Sequence, residues 1–332
     1  MPFDFQEVWE ARERIRGYVR KTPLEESYYL GTGLGGRFPK TGRRYFFKLE
    51  CLQRAKSFKI RGALNKMLTL TPGEVRRGVA AVSSGNHGSS VAYAASILGI
   101  KAPKIIVPST TPQSKLDKIR YFGGDVLLMG DNYDGAHVQG LAYIREHGLT
   151  LIDSCDEDPK VYGGQGTVGL EIMEQNPDID TIICPMGGGS LATGVATAAK
   201  HARPGVRVFG VQTEASPAFV ASYRDGVMYE EYPTIGETIC DATVGGVGRL
   251  AYELDRDLLD GILVEPEETV RRAVAFMARG EKFLCEGAGC LAVAAVMNHA
   301  EQIGGRNVAL VVSGGNIDGD ALARVLNEFP DA

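Results

Sequence analysis

Between residues 78 and 152 the chain repeats one unit: a short apolar run, a turn, then a stretch with helical periodicity. Gly78-Val79-Ala80-Ala81-Val82 leads into 89–98, Lys104-Ile105-Ile106-Val107 into 112–122, and Asp125-Val126-Leu127-Leu128-Met129 into 133–147. Leu149-Thr150-Leu151-Ile152 closes the series. Continuous apolar runs suit strands covered on both faces, and the intervening helices supply the cover, so this block predicts an open parallel sheet. The rhythm resumes with a helix at 166–175, a strand at 181–184, a helix at 191–201 and a strand at 206–211. Beyond an irregular stretch at 222–248 come helices at 251–257, 267–279 and 287–299 and a last strand at 307–312. Ahead of the block, Asp4 and Glu7 read as a capping box for a helix reaching about Tyr18. An extended segment starts at Thr22-Pro23-Leu24, a strand spans 45–50, and a helix at 58–70 stops at Thr71-Pro72-Gly73. No long linker separates the blocks, so they are expected to share a tight interface.

Bulk properties narrow the partners. A net charge of -5 and a pI near 5.7 argue against nucleic acid, whose binders carry a basic face. The longest apolar runs, such as 291–297, fall far short of a membrane span. The polar, amphipathic start lacks the apolar core of a signal peptide. Six scattered cysteines without a C-x-x-C pair read as reduced thiols of a cytoplasmic protein. The five histidines show no H-E-x-x-H spacing, so no metal site is expected.

Chemistry is concentrated in five segments. Ser57-Phe58-Lys59-Ile60-Arg61-Gly62-Ala63 places Lys59 between aromatic and apolar neighbours. A lysine that loses hydration there is more easily neutral, and a neutral amine forms a Schiff base with a carbonyl. A surface lysine with a packed stem looks the same in this segment alone. Ser83-Ser84-Gly85-Asn86-His87-Gly88 links a strand to a helix, a place where N–H groups bind anions; the alternative is a plain turn capped by Ser84 or Asn86. Met186-Gly187-Gly188-Gly189-Ser190-Leu191 leaves several N–H groups free for one phosphate. Gly187, Gly189 and Ala192 also match a dinucleotide G-x-G-x-x-A, but no acidic residue stands at the end of the next strand, where Gln212 lies. Ser313-Gly314-Gly315-Asn316 ends a strand, where ligands of open α/β sheets bind; Ser313 could equally cap a helix near Asp320. Glu286, in Cys285-Glu286-Gly287-Ala288-Gly289, reads as a helix-dipole residue and nothing more.

These segments, with Gly-Gly-Gln-Gly-Thr at 163–167, occur in one order. Together they resemble the pyridoxal-phosphate enzymes of the tryptophan synthase β-like fold (fold type II), nearest to the threonine/serine dehydratase and serine racemase family. The resemblance runs from Arg20-Lys21-Thr22-Pro23-Leu24 to Asn316. It implies an α/β fold of two open, mostly parallel sheets, with the cofactor between a large domain (1–77 and 153–332) and a small mobile domain (78–152). It implies that Lys59 holds pyridoxal 5'-phosphate covalently, that Phe58 packs beside it, and that Asn86 bonds the ring 3-hydroxyl. Gly187, Gly188, Gly189, Ser190 and Leu191 would grip the phosphate and Ser313 would face the ring nitrogen. Ser83, Ser84, Gly85, Asn86 and His87 would line the substrate site. The implied reaction is loss of water from L-threonine or L-serine to give a 2-oxo acid and ammonia, with a small amino acid as the molecule bound and a homodimer as the assembly.

Some positions depart from that pattern. Lys56 stands where relatives carry glycine, and Ser89 where glutamine is common. Gln212 and Ala218 replace the carboxylates of metal-activated relatives, although Glu214 is close, so a bound cation is not expected. Competing readings are a racemase, with Ser84 as a second acid/base, and a dehydratase for 3-hydroxyaspartate, phenylserine or a compatible-solute breakdown product. The segment Asp131-Asn132-Tyr133-Asp134 is a candidate substrate-facing loop. A nicotinamide-dependent dehydrogenase using Gly187 and Gly189 is the reading from a different class.

Overall fold

The computed structural model describes residues 3–34, 38 and 40–332, the side chains of residues 133 and 134 excepted. Ten strands form two sheets. The larger contains β1 (Leu24–Glu26), β2 (Arg44–Leu49), β7 (Thr181–Pro185), β8 (Arg207–Thr213), β9 (Gly261–Glu265) and β10 (Asn307–Val312) in the order β1-β2-β10-β7-β8-β9. The smaller contains β3 (Val79–Val82), β4 (Lys104–Val107), β5 (Asp125–Leu128) and β6 (Thr150–Leu151) in the order β5-β4-β3-β6. All pairs are parallel except β1 with β2. Central strands are apolar on both sides because both faces are covered: every residue of β3 and β7 is buried.

The helices are α1 (Phe5–Ile15), α2 (Lys59–Met67), α3 (Pro72–Arg77), α4 (Asn86–Leu98), α5 (Gln113–Tyr121), α6 (Tyr133–Glu146), α7 (Pro159–Gln175), α8 (Ser190–Ala202), α9 (Ala218–Asp225), α10 (Arg249–Leu258), α11 (Glu267–Phe276), α12 (Gly287–Ile303) and α13 (Gly319–Glu328). Four elements differ from the periodicity reading, one of them α9, which lies where no helix was expected. Thr71-Pro72-Gly73 ends one helix and also starts α3, with Thr71 and Glu74 closing a capping box around Pro72. Strand β9 follows α10 directly, and its short run was hidden between two helical patterns. Helix α7 begins at Pro159, capped by Asp158, well before the expected start at 166.

That longer α7 explains the glycines at 163–169. A Cβ on Gly164 would lie 2.5 Å from Arg61 O, one on Gly166 2.9 Å from Gly194 O, and one on Gly169 2.6 Å from Val195 O. The glycines therefore let α7 touch α2 on one side and α8 on the other, backbone to backbone. Those two helices carry the lysine and the triple-glycine turn at their N-termini.

Candidate active site

Four loops converge at the C-terminal edges of the two sheets, where open parallel sheets bind ligands. They follow β2, β3, β7 and β10. Lys59 is the first residue of α2 and is half-buried, its Nζ 5.3 Å from the Phe58 ring centre. Its segment is held to the β10 loop: Ser57 and Gly314 form a β-bridge, and Phe58 N donates to Ser313 O at 3.0 Å. Behind it, Arg61 is wholly buried and anchors α2. Its guanidinium donates to both Glu50 oxygens at 2.8 Å and to Glu171 at 2.8 and 2.9 Å. Lys48, also fully buried, bonds Glu171 at 2.5 Å, so two buried cations meet the buried Glu50 and the half-buried Glu171.

Lys59 Nζ donates to Ser154 O at 3.2 Å. Ser190 Oγ donates to the same carbonyl at 3.4 Å. One backbone oxygen thus joins the amine to the first turn of α8, below the triple-glycine turn. Gly189, with φ +97°, is the N-cap of α8, and no side chain caps the helix. Its early N–H groups are therefore open to an anion. Space above the turn is narrow: a Cβ on Gly188 would meet Cys155 Sγ at 2.4 Å, and one on Gly187 would meet Thr243 Cα at 3.0 Å. An oxyanion that accepts N–H bonds and has no room for a side chain beside it fits this cradle, so the residues present suit a phosphate.

Helix α4 offers a second such end. Its N-cap is Gly85, without a side-chain cap, and a Cβ there would meet nothing within 4 Å. Neither Ser84 nor Asn86 caps the helix. Ser83 Oγ accepts from Gly85 N at 3.3 Å, and the half-buried Ser84 hydroxyl makes no hydrogen bond among the described residues. His87 is buried. Its Nε2 lies 2.8 Å from Ile152 O, a carbonyl that can only accept, so Nε2 carries the proton and Nδ1 is left with a lone pair and no partner. Burial, and then the nearby Lys59 cation, push His87 down to about 4, so the ring is neutral at pH 7.

Asn86 Nδ2 donates to Glu286 Oε1 at 2.6 Å, and Asn316 Nδ2 donates to Asn86 Oδ1 at 2.5 Å. Glu286 Oε2 accepts from Asn316 N at 3.0 Å. Burial, reinforced by Asp241, pushes Glu286 up to about 7. Glu286 thus binds a site residue directly, a role that its place at a helix start concealed, because its partner lies two hundred residues away. Ser313 is buried, its hydroxyl without a hydrogen bond among the described residues; the helix after it, α13, is capped by Asp318 instead. Asn132 caps α6 and Asp131 accepts from Ser109 Oγ at 3.2 Å, while the side chains of Tyr133 and Asp134 lie outside the described residues. Gln212 Oε1 accepts from Phe219 N at 3.0 Å and Val220 N at 3.2 Å, so its amide caps α9.

Residues 15–314 match the family of pyridoxal-phosphate dependent enzymes. The chain belongs to that family. Its members' fold, two parallel-rich α/β sheets, is the one described above, and pyridoxal phosphate is the cofactor. An L-threonine ammonia-lyase of Thermotoga maritima is 39% identical over 97% of this chain and 78% of its own length. A catabolic L-threonine dehydratase of Escherichia coli is 36% identical over 100% of this chain and 98% of its own. Among solved structures, a maize serine racemase superposes with a TM-score of 0.88 at 31% identity, covering 100% of this chain and 99% of that one. Membership in this family sets aside the nicotinamide-dependent reading of Gly187 and Gly189. Among the described residues no helix is long and apolar enough to cross a membrane.

Proposed function

We propose that the chain is a threonine/serine ammonia-lyase, which converts a β-hydroxy amino acid such as L-threonine or L-serine to a 2-oxo acid and ammonia. The observation that carries this reading is the shared Ser154 carbonyl, which puts the Lys59 amine at the rim of the triple-glycine turn. The cofactor phosphate is assigned to Gly187, Gly188, Gly189, Ser190 and Leu191, and the ring to the space bounded by Phe58, Asn86 and Ser313. When bound, pyridoxal phosphate supplies a conjugated system that takes up the electron pair left at Cα.

The chain's own residues do the rest. N–H groups at the start of α4, with Ser83 and Ser84, bind the substrate carboxylate and orient the Cα–H bond toward Lys59. The Lys59 amine, released as substrate enters, takes the Cα proton as general base. Loss of the β-hydroxyl consumes one proton and releases water; hydrolysis of the unsaturated amine product takes one water back and releases ammonia. Ser313, which is uncharged, would face the ring nitrogen and offer it a hydroxyl where an aspartate would offer a counter-ion. Two domains belong to the proposal, a small mobile one of residues 78–152 and a large one of residues 1–77 and 153–332, with the cofactor between them. A homodimer in the cytoplasm, with no required cation, completes the proposal.

Ammonia and 2-oxo acid release should be measured with L-threonine, L-serine, 3-hydroxyaspartate and phenylserine. Threonine or serine is expected to turn over fastest; no release from either overturns the reading. Lys59→Ala is expected to lose at least about 10³-fold in kcat and the visible absorbance of the lysine-bound cofactor. A second reading, racemisation, draws on the fit to the maize serine racemase and on the half-buried Ser84 hydroxyl, which makes no hydrogen bond among the described residues. Chiral analysis of residual serine separates the two, since elimination alone leaves the unreacted enantiomer unscrambled.

A further inference from the structure

Helix α10 presses two residues of one face against the first turn of α8. Ala251 lies under the triple-glycine turn: a Cβ on Gly189 would come within 2.3 Å of its methyl carbon. One helical turn later Asp255 reaches Thr193, with Asp255 Oδ2 and Thr193 Oγ1 3.0 Å apart. Thr193 Oγ1 is also 3.0 Å from Gly189 O. A carbonyl only accepts, and a threonine hydroxyl has one proton to give. If Thr193 gives that proton to Gly189, the hydrogen between Thr193 and Asp255 comes from the carboxyl group.

The surroundings favour that arrangement. Asp255 is 1% exposed, and its Oδ1 has no partner among the described residues. Tyr162 on α7, Cys184 on β7 and Tyr223 on α9 lie close enough to feel its charge, and among the described residues no cation forms an ion pair with it. A lone carboxylate in such a place is among the costliest groups to bury. Burial accordingly pushes this carboxyl well above the ordinary range, with the Thr193 bond opposing.

We propose that Asp255 is a positioning residue for the phosphate loop and works as an uncharged carboxylic acid, donating to Thr193, which donates to Gly189 O. An ionised group here would occupy the positive field of the first turn of α8, the field that the cofactor phosphate uses. The neutral acid fixes the left-handed Gly189 without competing for it. This inference rests on the reading of 187–191 as the phosphate loop.

Infrared difference spectra of the holoenzyme, wild type minus Asp255→Asn, are expected to show a carboxylic-acid carbonyl stretch at pH 7; carboxylate bands in its place overturn the neutral acid. The unfolded aspartate ionises near pH 4 while the folded one keeps its proton. The folding equilibrium of wild type relative to D255N is therefore expected to fall about tenfold per unit from pH 5 to 7, and a flat difference overturns the proposal. Should D255N not fold, Thr193→Val is expected to shift the acid band by removing its acceptor, and an unmoved band counts against the chain of bonds. Asp255→Ala is expected to weaken pyridoxal-phosphate affinity about tenfold, with D255N within about twofold of wild type; unchanged affinity in D255A overturns the positioning role. Gly188→Val tests the underlying loop assignment separately. If that variant binds the cofactor normally, the phosphate lies elsewhere, while the infrared band still reports the Asp255 proton.

Discussion

Lys56 and Glu286 each depart from what their residue type prefers, and each lies against the site. Lys56 has φ +63°, a left-handed conformation in which a side chain costs about 1–2 kcal/mol. Its carbonyl accepts from Gly315 N at 2.9 Å, so the turn is locked to the β10 loop whatever residue occupies it. Glycine would take this φ without that steric cost. Lys56→Gly is expected to raise stability by roughly 0.5–1 kcal/mol in denaturant titration, after offsetting the extra freedom of the unfolded chain. Glu286 poses the opposite case, a carboxyl held up at about 7 chiefly by burial. Its folded value lies above that of the unfolded chain. Its contribution to stability is therefore full below about pH 4.3 and is lost as pH climbs to about 7. Relative to Glu286→Gln, wild type should lose roughly 2–3 kcal/mol between pH 4.5 and 7 and little beyond, which paired titrations across that window will check.

At the scale of elements, the decisive contact is glycine to glycine. Helices α7 and α2 meet where a Cβ on Gly164 would come within 2.6 Å of Gly62 Cα. Backbone atoms on both sides cannot rotate away, so Gly164→Ala must push α2 outward. That shift would strain the Arg61 bonds to Glu50 and Glu171 as well as move Lys59. The expected cost is about 2–3 kcal/mol of stability, with kcat reduced more than KM because substrate binding involves α4 instead. A Gly164→Ala variant with wild-type stability and kcat would show that α2 has slack that the packing denies.

Across the whole molecule, polar contacts tie the elements around the smaller sheet to the loops of the larger one. Lys118 on α5 donates to Ala55 O at 3.0 Å and to the side chain of Asn316, and Lys115 pairs with Asp241 at 2.6 Å. Asn86 and Glu286 make the same crossing deeper inside. The exposed Lys115–Asp241 pair contributes little, about 0–1 kcal/mol, whereas Lys118 bonds main-chain and amide oxygens in partly buried surroundings. Lys118→Met is expected to favour separation of the two sheets. KM for the amino acid should rise several-fold with kcat changed less, and limited proteolysis of the 78–152 segment should quicken. Unaltered KM and proteolysis would mean that the Asn86–Glu286 contact and the apolar packing of α2 against α4 hold the two parts together without Lys118.

What a sequence can declare is local. Period-two and period-3.6 patterns, turn residues and glycine runs are set by neighbours along the chain, so the parallel sheets, the lysine segment and the glycine-rich turns that start α4 and α8 were legible in the residues of this protein. Strand β9 and helices α3 and α9 were not, because each is too short for its period to stand out from its surroundings. The glycines of 163–169 were visible, but their purpose was not, since it depends on which backbones pass within van der Waals distance. Glu286, Asp255 and Ser154 were missed for the same reason. Their partners are Asn86, Thr193 and Lys59, all far off in sequence, and only folding brings them together. A carboxyl group becomes an acid or an anion according to the water and charges around it, and that environment is a property of the tertiary structure alone.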